Sequence, residues 1–469
     1  MNVPLVPDPM MPRSICSALL RATAIVALLS SAIPAVRAET LEEALALAYA
    51  TNPTLNARRA SLRATDENVP QAAAGWRPTV RLSGAAGRRD VEVEVNGNRV
   101  TNENRNPGSA AVTVTQPLYQ GGRTVAGTQR AEAQIQAERA RLMATEQTVF
   151  IGVVTNYANV LRDQAVVELR ANNEQRLRRQ LEATQDRFRV GEVTRTDVAQ
   201  AESRLSRSSA DRISAEGNLT ASRAQYERFV GKAPENLSEP AAQVALPKST
   251  REAASAAGND NPNVIAAQFE ESAQRLRIRE VQGELLPDLN LVGDVTRNLD
   301  ASARNQTQDA FGVQAQVTMP LYEAGSVTSR VRQARETATQ RRVEIEDARR
   351  QASTDATTAF EALETAQASL QSLEQEVRAA TIALEGVQQE ANVGSRTVLD
   401  VLDSEQELLD AQVRQVTARR DRLIATYQVL AAIGRLNAKD LALPVQLYDF
   451  DANYQRVRNK WWDLPNALR

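Results

Sequence analysis

Pro117-Leu118-Tyr119-Gln120-Gly121-Gly122 returns 203 residues later (320 less 117) as Pro320-Leu321-Tyr322-Glu323-Ala324-Gly325. The offset then holds without a gap. Val190-Gly191 reappears as Val393-Gly394, Asp197-Val198 as Asp400-Val401, and Gly231 as Gly434. Upstream, Asn52-Pro53 and Pro78 reappear as Asn261-Pro262 and Pro287, at an offset of 209. The two copies match throughout, with about six extra residues in the first between Pro78 and Pro117. A unit of about 200 residues is far longer than a solenoid repeat, so the chain reads as a duplicated half-protein.

Composition narrows what such a protein does. Of the 469 residues, aromatics make up only 4%, while Ala, Gln, Glu and Arg abound, which is long-helix composition. A net charge of −2 gives no footprint for nucleic acid. There is no histidine, and the one cysteine is Cys16. Histidine triads and the commonest metal ligand are thereby excluded, no motif points to carboxylate chemistry, and neither an enzyme nor a cofactor is expected.

Residues 1–38 read as a secretory leader. Arg13 and Arg21 supply positive charge, Ala22 to Ile33 an apolar run, and Val36-Arg37-Ala38 a small-residue cleavage site. No later stretch is apolar for 18 residues, so a membrane crossing has to be a β-barrel.

Both halves share one order of elements. The first repeat is assigned to 39–240: a helical stretch from Thr40 to Gly75 interrupted at Asn52-Pro53, two strands over 79–95 and 109–118, a long helix over 123–190 and a return helix over 195–231. The second is assigned to 241–440: a helix over 262–284, strands over 288–297 and 309–319, a long helix over 326–393 and a return helix over 397–434. Residues 441–469 form a tail, whose Tyr448, Phe450, Tyr454, Trp461 and Trp462 are expected to pack as a belt on the outside.

Phe311, Val313, Ala315, Val317 and Met319 alternate with Gly312, Gln314, Gln316 and Thr318, the pattern of a membrane barrel strand. A soluble hairpin with one face on a core would read the same way. The long helices carry heptads at Val153, Val160, Val167, Leu181 and Phe188, with Glu174 in one slot. Their copies are Ala356, Leu363, Leu370, Val377, Leu384 and Ala391. Each rod reaches on the order of 100 Å and needs neighbours all along it. Two short rods end to end would cover one long rod. A periplasmic coiled-coil structural or adaptor protein explains the rods but not the strands.

Four strands leave two open edges, which a bilayer does not tolerate, so several copies must close the barrel. At this point the chain resembles the TolC family of outer-membrane efflux and secretion channels. The resemblance is carried by the two Pro-Leu-Tyr junctions and by two turn stretches. These are Arg187-Phe188-Arg189-Val190-Gly191-Glu192-Val193-Thr194-Arg195-Thr196-Asp197-Val198 and Asn392-Val393-Gly394-Ser395-Arg396-Thr397-Val398-Leu399-Asp400-Val401-Leu402-Asp403. It implies a mainly α fold with a membrane β portion. A homotrimer closes a 12-stranded barrel, four strands per chain, continued by an α-helical periplasmic barrel. It also implies a passive exit duct in outer-membrane lipid, for a tripartite efflux pump or a type I secretion system. Its periplasmic tip is opened by a periplasmic adaptor (a membrane fusion protein) and an inner-membrane RND or ABC transporter.

The turns at Gly191 and Gly394 then form the far tip of the tube. Thr194 and Thr397 stand where they cap the following helices. Asp400 and Asp403, spaced i, i+3, become carboxylate rings in a trimer and a selectivity gate for cations. A solvated helix start has the same spacing. The resemblance places Arg396 opposite Thr196 and Asp197 as closed-state links. At Ala391 the chain lacks a tyrosine that helps hold the family's closed state. Adaptor docking falls on Val190, Gly191, Glu192, Val193, Val393, Gly394, Ser395 and Arg396. Glu192 stands where the family commonly has an apolar residue.

Overall fold

The computed structural model describes residues 39–240 and 245–461. The expected leader with Cys16, and Trp462 of the tail, lie outside the described residues.

Helix α1 (Leu41–Thr51) opens on a reciprocal capping box between Thr40 and Glu43. Asn52 caps α2 (Pro53–Asp66) through the amides of Thr54 and Leu55, with Pro53 in the first turn. A second interruption, absent from the sequence reading, separates α2 from α3 (Asn68–Ala73). Pro70 has no N–H for the Asp66 carbonyl, so the helix breaks there. Two long helices follow the first strands: α4 (Arg123–Arg189, 67 residues) and its return helix α5 (Arg195–Val230).

The second copy begins with α6 (Thr250–Asp260), the counterpart of α1 at offset 209, where the sequence assigned no element before the helix at 262. Ser249 caps it. Helix α7 (Pro262–Gln282) then runs unbroken, because Arg279 stands where the first copy has Pro70. Helices α8 (Ser326–Asn392) and α9 (Val398–Ala432) repeat α4 and α5.

The strand assignment needs one correction. Residues 79–95 are two strands, β1 (Thr79–Ala86) and β2 (Arg89–Val95), which belong to different sheets. Strand β2 pairs with β3 (Asn98–Arg105) in a separate hairpin that turns at Asn96-Gly97, where both φ angles are positive. The alternation Val91, Val93, Val95 is a true strand signal, but period-2 patterning does not say which sheet a strand joins. Strand β1 pairs instead with β4 (Gly108–Gln120), β4 with β5 (Asp288–Leu299), and β5 with β6 (Thr307–Thr318), all antiparallel. The order β1-β4-β5-β6 leaves β1 and β6 as open edges.

Helices α1–α3 lie along the first half of α4, and α5 along the second. Ser61 of α2 bonds Glu138, while Arg212 of α5 bonds Glu174. Helices α6, α7 and α9 cover α8 in the same way, and α7 and α9 also pack on α4. The core sits midway along the rods, where Leu41, Leu55, Phe150, Tyr157, Tyr226 and Leu430 are fully buried. Of the heptad, Val153, Val160, Ala356, Leu363, Leu370 and Leu384 are buried. Burial fades toward the tip, where Phe188 is 44% exposed. The tail returns along the outside of α1–α4 and forms α10 (Phe450–Arg458).

Candidate functional site

Two places can do work: the tips of the two hairpins and the two faces of the sheet. Both tips close the same way. Gly191 (φ 83°) and Gly394 (φ 80°) adopt the left-handed conformation that an L side chain resists. The amide of Glu192 reaches back to the Arg187 carbonyl at 2.9 Å, and that of Ser395 to the Glu390 carbonyl at 3.0 Å. Val190 and Val393 are left standing in solvent beside them. Each return helix starts on a capping box. Asp197 Oδ2 accepts from the Thr194 amide at 2.8 Å, and Asp400 Oδ2 from the Thr397 amide at 2.9 Å. These backbone bonds, then those from the threonine hydroxyls, hold both carboxyls below the usual aspartate range.

The expected gate residues are therefore engaged within the chain. Asp400 closes its own cap, while Asp403 Oδ1 pairs with Arg204 of α5 at 2.6 Å. Arg396 Nε donates to Glu390 Oε2 at 2.8 Å across its own turn. The single chain does not bring Arg396 to Thr196 or Asp197: its bond is to Glu390, and Asp197 is held by Thr194. On the other tip Arg187 pairs with Glu192 at 3.1 Å.

Behind Arg204 lies a buried polar seam that the sequence reading missed. Glu405 of α9 is 7% exposed, and its Oε2 has no partner among the described residues. Burial pushes its carboxyl up, against the opposing pull of Arg176 and Arg179. Glu174 of α4 is also buried, but Arg212 and Arg178 hold it at 2.5 and 3.0 Å. One signal was available, since Glu174 breaks an otherwise apolar heptad. For Glu405 there was none, because its copy at Glu202 is exposed.

The sheet is mainly apolar on one face and mainly polar on the other, with Gln116 and Val292 as exceptions. Register places Val80, Leu82, Val112, Val114, Leu291, Val295, Phe311, Val313 and Val317 on one face. Thr113, Thr115, Asn290, Asp294, Gln314 and Gln316 point to the other. From Leu289 to Val295 the apolar face runs for about 20 Å of strand, or about 15 Å of height at the tilt of outer-membrane barrel strands. It is capped by Arg297 facing Asp309 at 3.5 Å. Phe311 on this face is 78% exposed, so the face has no cover among the described residues. Among the described residues, no helix is long and apolar enough to cross a membrane.

Known proteins share this arrangement. The chain is 32% identical to the outer membrane efflux protein BepC of Brucella suis over 92% of this chain and 93% of that one. It is 29% identical to the outer membrane protein TolC of Vibrio cholerae over 71% of this chain and 78% of that one. The crystal structure of the Campylobacter jejuni outer membrane channel CmeC superposes with a TM-score of 0.76 at 14% identity, covering 92% and 90% of the two chains. That likeness shows a shared fold. The family model described as outer membrane efflux protein matches residues 44–232 and 253–435. The chain belongs to the outer membrane efflux protein family, the TolC family, with its sheet in the outer membrane and its helices in the periplasm.

Proposed function

We propose that three copies of this chain close a twelve-stranded barrel, each giving the four strands β1, β4, β5 and β6. The reading is carried by one observation: a sheet apolar on one face and polar on the other, open at both edges, and continued by two 67-residue helices. In a bilayer those edges need partners, and only closure gives every strand two. The polar face then lines a lumen, and the rods extend it as a tube about 100 Å long.

The duct does no chemistry and uses no cofactor. Cargo enters at the hairpin tips, which a periplasmic adaptor engages and an inner-membrane RND or ABC transporter supplies. Efflux of small molecules is the leading service, given the efflux relatives, and type I secretion of proteins the second. The exposed Val190 and Val393, flanked by Glu192 and Arg396, give the adaptor an apolar contact edged with charge.

Reconstitution in planar bilayers tests the reading. Detergent-extracted protein is expected to run as a heat-modifiable trimer and to give discrete conductance steps. A monomeric protein in the soluble periplasmic fraction overturns the duct and favours a coiled-coil adaptor. Cysteine crosslinkers placed at the exposed positions 190 and 393, beside the two glycines, are expected to capture an adaptor in cells. Export of a dye or of a large protein, lost on deletion, separates efflux from secretion.

A further inference from the structure

Glu132, Arg139 and Glu146 of α4 stand seven residues apart and so share one stripe of the helix. After α9 the chain climbs that stripe in order, first at Ala438 and then along the tail. Glu146 Oε1 accepts from the Ala438 amide at 2.6 Å. Arg139 Nη2 donates to the Phe450 carbonyl at 3.0 Å and to Asp451 Oδ1 at 2.6 Å. Glu132 Oε1 accepts from the Tyr454 hydroxyl at 3.2 Å and faces Arg458 at 3.9 Å. Each step rises about 10 Å toward the start of α4, and therefore toward the sheet.

The climb continues to the foot of the sheet. Arg77 lies between the 3-10 turn Ala74–Trp76 and β1. Its Nη1 donates to the Lys460 carbonyl at 2.7 Å, and its guanidinium sits 5.2 Å from the centre of the Trp461 ring. Trp461 is nonetheless 67% exposed. Val80 and Leu82, the first apolar-face residues of β1, follow within five positions of Arg77. Trp76, Tyr119 and Leu286 are exposed at the same junction.

A large indole held over a cation and turned outward, directly beneath an uncovered apolar face, suits one phase. At the boundary between hydrocarbon and water the ring buries its body, its N–H stays hydrated, and a guanidinium meets phosphate. We propose that the tail is a strap that seats Trp461 in the headgroup layer of the inner leaflet of the outer membrane, with Arg77 as its bracket. The strap fixes how deep the barrel sits in the bilayer. Aromatic girdles on barrel strands are general; here the girdle residue comes from the tail, by way of the helical body.

The inference rests on the duct reading, and the experiment separates the two. In the full chain, Trp76→Phe and Trp462→Phe leave Trp461 as the single tryptophan. The trimer is reconstituted into phosphatidylcholine vesicles brominated either near the headgroup or deep in the acyl chain. Most of the Trp461 emission is expected to be lost with shallow bromines and much less with deep ones. Adding Arg77→Gln is expected to reduce that loss. Conducting trimers whose Trp461 emission ignores both bromine depths overturn the anchor alone, whether the ring faces water or a neighbouring copy. Protein that neither conducts nor quenches overturns the duct and the anchor together.

Discussion

Arg204 of α5 and Asp403 of α9 pair at 2.6 Å, joining the two hairpins of one chain near their tips. Asp403 is exposed and Arg204 half-buried, so the pair contributes only roughly 0.2–1 kcal/mol to folding. Its weight lies in what it restrains, because any iris-like opening moves one hairpin against the other. Arg204→Glu or Asp403→Arg is expected to raise closed-state conductance in planar bilayers with little change in trimer melting. Combining the two restores the pair with its signs reversed and returns conductance toward the original. If the double variant leaks as much as the singles, the pair is only a surface contact.

The same pair bears on the proposed gate. Asp403 shares its charge with Arg204, so in the proposed trimer three such pairs form one partly compensated ring. Asp403→Ala is expected to weaken block of single-channel current by multivalent cations, and Arg204→Ala to strengthen it. Equal block in all three proteins removes Asp403 from the lumen.

The capping boxes make the tips sensitive to acid. Asp400 and Asp197 have carboxyls lowered in the folded state. Their contribution is present above the ordinary aspartate value of 3.8 and is lost as pH falls below it. Hydrogen exchange of the first turns of α5 and α9 is expected to rise as pH falls from about 4 to 2, after correction for intrinsic rates. Thr397→Ala removes one cap and costs about 1 kcal/mol locally at neutral pH. Unchanged protection in that variant means the cap does not hold the turn.

Glu405 titrates in the opposite sense. Burial raises its carboxyl, so the native state binds the proton more tightly than the unfolded chain. Stability from this group is present below the unfolded value of 4.5 and is lost as pH rises through the raised native value. Glu405→Gln removes the buried charge and is expected to raise the thermal midpoint at pH 7, by an amount equivalent to about 1 kcal/mol. The gain shrinks at pH 4.5. A gain independent of pH shows that packing, not ionisation, separates the two proteins.

Arg396 bonds Glu390 within its own turn, and in the proposed trimer a closed-state link would have to come from a neighbouring subunit. Arg396→Ser is expected to raise closed-state conductance, most visibly because Ala391 provides no tyrosine to share the closure. Glu390→Gln keeps the turn but frees Arg396, and is expected to leave closure intact. If Arg396→Ser conducts like the parent, its only role is the turn.

The elements with a local cause were the legible ones. The Gly191 and Gly394 turns, the caps at Thr194 and Thr397, and the break at Asn52-Pro53 are each written in two or three residues. The rods follow from heptads without proline. The break at Glu67 was missed because Pro70 was read as part of a continuing helix. The split between β1 and β2 was missed because alternation specifies a strand and not its partner. The tail gave no period at all: the order it follows belongs to α4, at Glu132, Arg139 and Glu146.

Glu202 and Glu405 mark the limit of reading the chain alone. They occupy matching positions of two copies, in matching return helices, 203 residues apart. The sequence by itself determined the duplication, the rods, the turns and the two-faced strands, because each rests on spacing along one segment. It treats Glu202 and Glu405 alike. Tertiary structure decided that α9 packs on α4 as well as α8, whereas α5 has α4 as its main neighbour within the chain. Glu405 is thereby buried and Glu202 left in water. The difference is one of neighbours at a distance, which no period within a helix encodes.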